Sequence, residues 1–208
     1  MDVQAAIEAR RAVKSFDPEH RMTDAEVTRL LELTRLSPTA FNVQNWRFLR
    51  VDDPRLRSAI REAAWNQPQM TDASLLLVIC ADLQAWDRQP ERYWSHAPEK
   101  LRTAMVSTLR RVYGEDAVMR RDEAMRSGGM AAMALMLAAK EMGYDSCPLT
   151  GFDFDAVARL VDLPDSHVIC MIVTVGKALS QPGPRGGQVP DREIFFRDRF
   201  GKPGGASS

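Results

Sequence analysis

Apolar residues recur along the chain with two different spacings, which predict a mixture of strands and helices. Residues 46–51 alternate as a half-buried strand does, while residues 75–81 and 167–175 are short apolar runs typical of buried strands. Helical spacing follows the capping-box sequence at Thr23 and is predicted to stop near Ser37-Pro38. Further helices are predicted over residues 5–11, from Pro54, and over residues 98–113, 122–142 and 154–163. This mixture predicts an α+β fold, with a central mixed or antiparallel sheet flanked by helices.

The helix predicted over residues 122–142 differs from the others because it is apolar nearly all round. Its sequence includes GGMAAMALMLAAKEMG, in which Gly128, Ala131 and Ala138 are small enough for another backbone to approach closely. A helix that is apolar on every face is expected to be buried on every face. We therefore predict that it is a central core element or a subunit interface, with Gly143 as its C-terminal stop.

The composition changes after Ser180, where proline and glycine become too frequent for a packed element. Four apolar side chains still occur there, and they need a surface to cover: Ile194, Phe195, Phe196 and Phe200. We predict an extended C-terminal arm lying on another surface, and a disordered tail over residues 202–208. Residues 1–201 are then expected to form one domain, as the length of the chain suggests.

Composition and charge exclude several classes of function. Twenty-eight basic residues balance twenty-eight acidic ones, so nothing favours a nucleic-acid partner. No apolar run reaches the roughly 20 residues that span a bilayer, and the N-terminus lacks the apolar region of a signal peptide. We therefore expect no membrane partner. Three cysteines without metal-binding spacing are predicted to be reduced, buried thiols, which favours a cytoplasmic location.

The familiar motifs of side-chain catalysis and nucleotide binding do not occur. The sequence contains no Walker loop, no GxGxxG between a strand and a helix, no GxSxG, no HExxH and no CxxC. Its three histidines are scattered, so no metal site is predicted. An enzyme that lacks these groups can rely on a cofactor to carry the reaction.

Five separated segments, in order, resemble the nitroreductase (flavin reductase) family: residues 7–17, 37–48, 66–81, 147–153 and 184–190. Each segment alone is a weak signal, whereas the set frames nearly the whole chain and is specific for the fold and for FMN. The resemblance implies a nitroreductase-like α+β fold, a homodimer with shared active sites, and FMN as the cofactor. It implies no particular acceptor.

The resemblance places the FMN phosphate among arginines from both ends of the chain. Arg10 would contact the phosphate with Arg11 nearby, and Arg185 would reach it from the arm. Gly186, Gly187 and Gln188 would offer unobstructed N–H or amide donors. A solvated surface pair is the ordinary alternative for Arg10 and Arg11.

The resemblance also assigns residues to the flavin ring. Lys14 would lie beside the pyrimidine edge, where a cation stabilises the anionic reduced ring, and Asn66 and Gln69 would hydrogen-bond that edge with amides that both donate and accept. The turn at Pro148, Leu149, Thr150 and Gly151 would lie against the ring, with the N–H groups of Thr150 and Gly151 directed at N5. From the other subunit, the ring would be reached by Pro38, Thr39, Ala40 and Asn42.

Several residues depart from the family pattern. Ala12 stands where serine is common, Asn45 replaces a common proline, Arg47 stands where histidine is frequent, and Thr150 replaces an acid found in some members. None of these changes removes a phosphate or ring contact, but together they leave the subfamily open.

The reaction implied is ping-pong: NADH or NADPH gives hydride to flavin N5, and a small acceptor such as a nitroaromatic or a quinone then takes the electrons. Phe41, Trp94 and Tyr113 are predicted to line the acceptor side. Alternatives that stay open are dehalogenation, enone reduction or flavin destruction on the same fold, a non-catalytic flavin-binding protein, and a helical partner-binding module.

Overall fold

A four-stranded antiparallel sheet forms the centre of the computed structural model, which describes residues 1–180 and 182–201. The strands are β1 (Trp46–Val51), β2 (Leu75–Asp82), β3 (Asp145–Leu149) and β4 (His167–Gly176), in the order β1-β2-β4-β3. The three strands predicted from the sequence are confirmed, and so is the α+β class. The predicted tail, residues 202–208, lies outside the described residues.

Strand β3 carries no strand signal in the sequence, and it was not predicted. It is five residues long and contains Pro148, which lacks the N–H that a central strand must donate. The position at the edge of the sheet explains why proline is tolerated: Pro148 pairs only with Val173 of β4.

The described part contains seven α-helices. They are α1 (Val3–Ala9), α2 (Asp24–Thr34), α3 (Pro54–Ala63), α4 (Gln69–Asp72), α5 (Glu99–Tyr113), α6 (Ala117–Glu141) and α7 (Phe154–Leu160). Short 3-10 turns occur at Ala40–Asn42, Ala85–Asp87, Pro90–Trp94 and Asp191–Glu193.

Capping residues account for where the helices begin. The predicted capping box is confirmed, because Thr23 and Glu26 satisfy each other's backbone N–H groups. Helix α1 starts two residues earlier than predicted, because Asp2 accepts a hydrogen bond from the N–H of Ala5. Asp116 likewise starts α6 five residues before the predicted boundary. Helices α1, α2 and α7 also end earlier than predicted, at Ala9, Thr34 and Leu160.

Both faces of the sheet are covered by helices. On one face, α2 and α6 pack Leu30 and Leu135 against Leu77 of the sheet, and on the other, α3 and α7 pack Ile60 and Val157 against Ile172. Strand β2 is buried along all eight residues. Burial on both faces explains why β2 reads as a continuous apolar run rather than an alternating one.

Helix α6 is a core element with one uncovered face. Gly128 lies against β4 so closely that a Cβ there would be 2.5 Å from the Sγ of Cys170. The expectation that every face is buried is wrong for the single chain, because Met130 and Met133 are 40% and 37% exposed. A sheet contacts only one stripe of a helix, so the opposite apolar side chains stay open.

The chain between α1 and α2 extends the sheet at its β3 edge. Ala12 forms a parallel bridge with Ser146, and the N–H of Val13 donates to the carbonyl of Ser146 at 3.0 Å. Val13 is buried in the core, whereas Lys14 is exposed. This pairing fixes where the residues that follow α1 lie relative to β3. No helix in the described part is long and apolar enough to cross a membrane.

Candidate active site

Positive charge gathers where α1 ends beside strand β3. Arg10 is the C-cap of α1, with an extended backbone, and Lys14 follows in the paired segment. Both cations lie near the Cys147 thiol: burial raises the pKa of Cys147, and the charges of Lys14 and Arg10 oppose that rise. Cys147 is therefore a neutral, buried thiol beside two cations. The other two cysteines are also buried and unpaired, as predicted.

The guanidinium of Arg10 has a donor without an acceptor. Its Nε is buried and has no hydrogen-bond partner among residues 1–180 and 182–201. A buried donor left unpaired costs on the order of 1–3 kcal/mol. An anion at this position would remove that cost, and so the geometry fits a phosphate group.

Arg185 brings the C-terminal arm to the same corner. Its guanidinium donates to the carbonyl oxygens of Ile7, Glu8 and Arg10 at 3.1, 2.8 and 3.0 Å. These carbonyls belong to the last turn of α1, where a cation is favoured by the helix dipole. Arg185 thus lies next to Arg10, and its hydrogen bonds go to the backbone of α1.

The other predicted arm residues are exposed and make no close contact with residues 1–180, called the body below. Gly187 and Gln188 are exposed, and a Cβ added at Gly186 or Gly187 would meet nothing within 4 Å. Arg11 is half-buried just after α1. The single chain therefore assembles the arginine corner and leaves the glycines of the arm without a neighbour.

A second group of predicted residues faces the turn that follows β3. Gln69, at the start of α4, is only 1% exposed, while Asn66 is exposed in the left-handed region at φ 59°. Across from them, Thr150 is exposed and Pro148 is half-buried. Leu149 is 6% exposed and belongs to the core, so only its backbone is available at the surface.

The N–H of Gly151 is available to a ligand. No described residue accepts a hydrogen bond from it, whereas the Gly151 carbonyl accepts one from Gln67 at 2.8 Å. A fixed backbone donor of this kind can stabilise developing negative charge without titrating.

Sequence reasoning missed two residues at this turn, Trp65 and Gln67. Trp65 is 69% exposed, yet a Cβ added to Gly151 would lie 2.9 Å from its indole ring. Both Trp65 and Asn66 have positive φ, at 53° and 59°, a conformation that non-glycine residues rarely adopt. The two consecutive αL residues turn the chain back onto Gly151, and the sequence offers no glycine that would have signalled this turn.

The loop from Pro38 to Asn42 is braced by its own side chains. Thr39 Oγ1 accepts from the N–H of Gln44 at 2.9 Å, and the Asn42 amide donates to the carbonyl of Tyr93 at 3.4 Å. Asn42 and Gln44 therefore both brace this loop. Pro38 is exposed at the loop's start, and Ala40 is half-buried.

The three residues predicted on the acceptor side form one aromatic cluster. The ring of Phe41 lies 6.5 Å from that of Trp94 and 5.9 Å from that of Tyr113, both edge to face. Phe41 and Trp94 are partly exposed, but Tyr113 is only 4% exposed, and burial raises the pKa of its phenol to about 12. Tyr113 thus supports the cluster from behind rather than lining a mouth.

The sequence profile of the Nitroreductase family matches residues 7–177, which include Arg10 and Lys14, the Gly151 turn and the aromatic cluster, but not Arg185 of the arm. The chain belongs to the nitroreductase family. Membership agrees with the α+β fold described above.

Individual members of the family support the same conclusion. Protein DrgA of Synechocystis is 50% identical over 92% of this chain and 92% of its own length. MhqN of Bacillus subtilis, named as an NAD(P)H nitroreductase, is 29% identical over 90% of this chain and 95% of its own. An Exiguobacterium sibiricum protein assigned to the nitroreductases and solved in complex with FMN superposes with a TM-score of 0.86. It is 27% identical, over 93% of this chain and 96% of that one.

Proposed function

We propose that this chain is an FMN-dependent NAD(P)H oxidoreductase that reduces small organic acceptors. When bound, FMN would accept hydride at N5 from NADH or NADPH and pass electrons to an acceptor that takes the nicotinamide's place. The observation that carries the proposal is the buried Nε of Arg10, near Lys14 and β3, which has no hydrogen-bond partner in the described part of the chain. This corner has a positive charge, and a phosphate would satisfy the Arg10 donor that no described residue pairs with.

The proposed ligand contacts combine the roles that the family resemblance implies with the positions of the side chains in this chain. Arg10 would bind the phosphate, while Arg185 would hold the end of α1 and add its charge nearby. Lys14 would lie beside the pyrimidine edge of the ring, with Asn66 and Gln69 hydrogen-bonding that edge. The N–H of Gly151 would face N5, and Trp65, whose ring lies next to Gly151, would shield this part of the site from water.

The proposed enzyme is a homodimer whose sites need both chains. The single chain exposes Met130 and Met133 on α6, and it exposes a set of apolar side chains on the arm: Val189, Ile194, Phe195, Phe196 and Phe200. Such apolar surface is typical of a subunit interface. In the dimer, the loop Pro38–Asn42 of one chain would reach the flavin held mainly by the other.

The proposed acceptor side is the cluster of Phe41 and Trp94. Aromatic rings that are partly exposed and held edge to face offer flat apolar surface to a nitroaromatic, a quinone or an enone. Because this surface lies outside the phosphate and ring contacts, Trp94→Ala should change the preference among acceptors more than the affinity for FMN. An acceptor profile identical to that of the wild type would contradict this role.

Anaerobic titration of the FMN-loaded protein tests the proposed function directly. Adding NADH or NADPH should bleach the flavin absorption band, and each acceptor in a panel of nitroaromatics, quinones and enones that serves as a substrate should restore it. A protein that stays yellow with both nicotinamides would be a flavin binder without this activity. A protein that takes up no FMN would contradict the proposal entirely.

A further inference from the structure

A chain of two glutamine amides links α4 to the turn that follows β3. Gln69 donates through Nε2 to the Oε1 of Gln67 at 2.9 Å, and Gln67 donates through its own Nε2 to the carbonyl of Gly151 at 2.8 Å. A backbone bond from the N–H of Asp153 to the carbonyl of Ala63, at 2.9 Å, also ties the end of α3, just before this segment, to the residues that follow the turn.

The direction of this chain of hydrogen bonds is fixed at one end. The Gly151 carbonyl can only accept, so Gln67 must present its NH₂ group to it and its oxygen to Gln69. Gln69 must then present its own NH₂ group to that oxygen. The orientation of the Gln69 carboxamide therefore does not depend on its own side-chain geometry alone.

The result leaves one end of the Gln69 carboxamide for a ligand. Within residues 1–180 and 182–201, its only hydrogen bond is the one that its nitrogen donates to Gln67. Gln69 is 1% exposed as a whole residue, but its Oε1 is not among the fully buried side-chain atoms without a partner in the described part, so this oxygen is open to solvent or to a ligand. The oxygen, an acceptor, is the atom that remains.

We propose that Gln67 is a positioning residue: by bridging Gly151 and Gln69, it holds the Gln69 oxygen ready for an N–H donor on the edge of the cofactor ring. The inference rests on the proposed function, because it identifies the ligand edge as the N3–H of an isoalloxazine. Gln67 also fixes the Gly151 carbonyl, so one side chain couples the residue at the ring edge to the turn at the ring face.

The Gln67 and Gln69 side chains can be tested with a double-mutant cycle on FMN affinity. The dissociation constants of wild type, Gln67→Leu, Gln69→Leu and the double variant are measured by quenching of flavin fluorescence on titration of the apoprotein. Gln67→Leu should weaken FMN binding about tenfold, the loss of roughly one hydrogen bond. In the Gln69→Leu background the same substitution should cost less than about threefold, since Gln69 is no longer there to be oriented.

A flavin analogue tests whether the Gln69 oxygen accepts a hydrogen bond from the ring. FMN methylated at N3 lacks the donor, and we expect wild type to bind it at least tenfold more weakly than FMN. In Gln67→Leu this ratio should shrink, because the Gln69 carboxamide can then turn. Equal binding of the two flavins by wild type, or multiplicative effects in the double-mutant cycle, would overturn the inference.

Controls separate positioning from folding and from the proposed function. Gln84→Leu changes an exposed glutamine just beyond the opposite end of β2, and it should leave FMN affinity unchanged. Gln67→Glu keeps an acceptor for Gln69 but loses the donor to Gly151, so it should weaken FMN even if Gln67→Leu does not fold. Failure of the wild type to bind FMN would refute the proposed function, whereas FMN binding unaffected by Gln67→Leu and Gln67→Glu would refute only this inference.

Discussion

The residues proposed to bind FMN lie in two regions that the single chain organises to very different degrees. At the β3 edge, the segment after α1, the Gly151 turn and the glutamines before β2 are joined by backbone and side-chain hydrogen bonds. In the arm, every residue from Gly183 to Gly201 is exposed, and Arg185 supplies three hydrogen bonds to the body.

The difference indicates which parts of the site are prepared before any partner arrives. A ring-binding region held by internal hydrogen bonds loses little entropy when a ligand enters, so it is preorganised. The arm keeps its phenylalanines open to water, and this arrangement is stable only if another surface covers them. We therefore expect the β3 edge to determine cofactor affinity directly and the arm to act through assembly.

Removal of the arm is expected to have the largest effect. A chain ending at Ser180 keeps the bridge between Phe16 and Ala178 but loses Arg185 and all the arm phenylalanines. We expect it to be monomeric and to bind FMN at least about 100-fold more weakly, because truncating one buried Phe alone costs about 3–5 kcal/mol. Size-exclusion chromatography with light scattering and FMN titration measure both effects.

The matched control for this truncation is a chain that ends at Gly201, which keeps the whole described arm. It should remain dimeric and yellow, in line with the prediction that the domain ends at residue 201. A dimeric, flavin-binding chain that ends at Ser180 would show that the arm is dispensable for assembly.

Arg10→Ala should have the next largest effect, and it should weaken FMN binding without changing the oligomeric state. The guanidinium would make a charge-assisted hydrogen bond to the phosphate, worth about 1.5–3 kcal/mol, so FMN affinity should fall roughly 10- to 100-fold. Arg29→Ala, on the exposed face of α2 where Arg29 pairs with Glu32, is the control of equal charge change. Riboflavin lacks the phosphate, so Arg10→Ala should weaken its binding much less than it weakens FMN binding. An equal loss of affinity for both flavins would contradict the phosphate contact.

The sequence alone predicted the regions whose signals are local. The apolar runs of β1, β2 and β4 and the capping box at Thr23 identified their elements. The family segments supplied Arg10, Gln69 and Gly151 as expected site residues. Strand β3 was missed, because pairing with β4 overrides a sequence that contains Pro148. Trp65 was missed because its αL turn depends on contact with Gly151, which lies far along the chain.

Gly151→Ala tests how tightly the prepared region is packed. A Cβ there would lie 2.9 Å from the Trp65 ring, and overpacking of this kind costs about 1–3 kcal/mol. We expect a lower thermal midpoint and weaker FMN binding, both partly restored by Trp65→Ala in the same chain. Gly129→Ala, in helix α6 where a Cβ would meet nothing within 4 Å, is the control for the added methyl group. If Trp65→Ala did not restore stability and FMN binding, the added methyl group would clash with the backbone rather than with the indole ring.

The pH dependence of stability should report on the body and not on the arm. Tyr144, just before β3, donates to Glu26 of α2 at 2.6 Å, and this hydrogen bond, with those from Thr23, lowers the pKa of Glu26 from 4.5 to about 2. Because the folded pKa is depressed, the stabilisation is complete above pH 4.5 and is lost as pH falls towards 2. Burial and the Glu26 contact raise the pKa of Tyr144 to about 12. The contribution of Tyr144 to folding stability is therefore present below pH 10 and is lost as pH rises through 12.

Glu26→Gln separates this contribution from the general effects of acid. The variant should lose stability less steeply than wild type between pH 4.5 and 2, as measured by thermal midpoints across that range. The chain ending at Ser180 should keep the wild-type slope there, because Glu26 and Tyr144 both lie in the body. Parallel slopes for wild type and Glu26→Gln would rule out the contact as the source.

The smallest expected effect is a gain, and it concerns the departure from the family at Ala12. Ala12 is exposed between Arg10 and Lys14, and its bridge to Ser146 holds it at the β3 edge. A serine there would add one hydroxyl to a region that is already in place. A neutral hydrogen bond is worth about 0.5–1.5 kcal/mol, so Ala12→Ser should tighten FMN binding about 2- to 10-fold. Ala12→Val adds bulk without a hydroxyl and should not tighten it. If serine gave no gain over valine, residue 12 would not face the cofactor, and the preorganised region would end at Arg10 and Lys14.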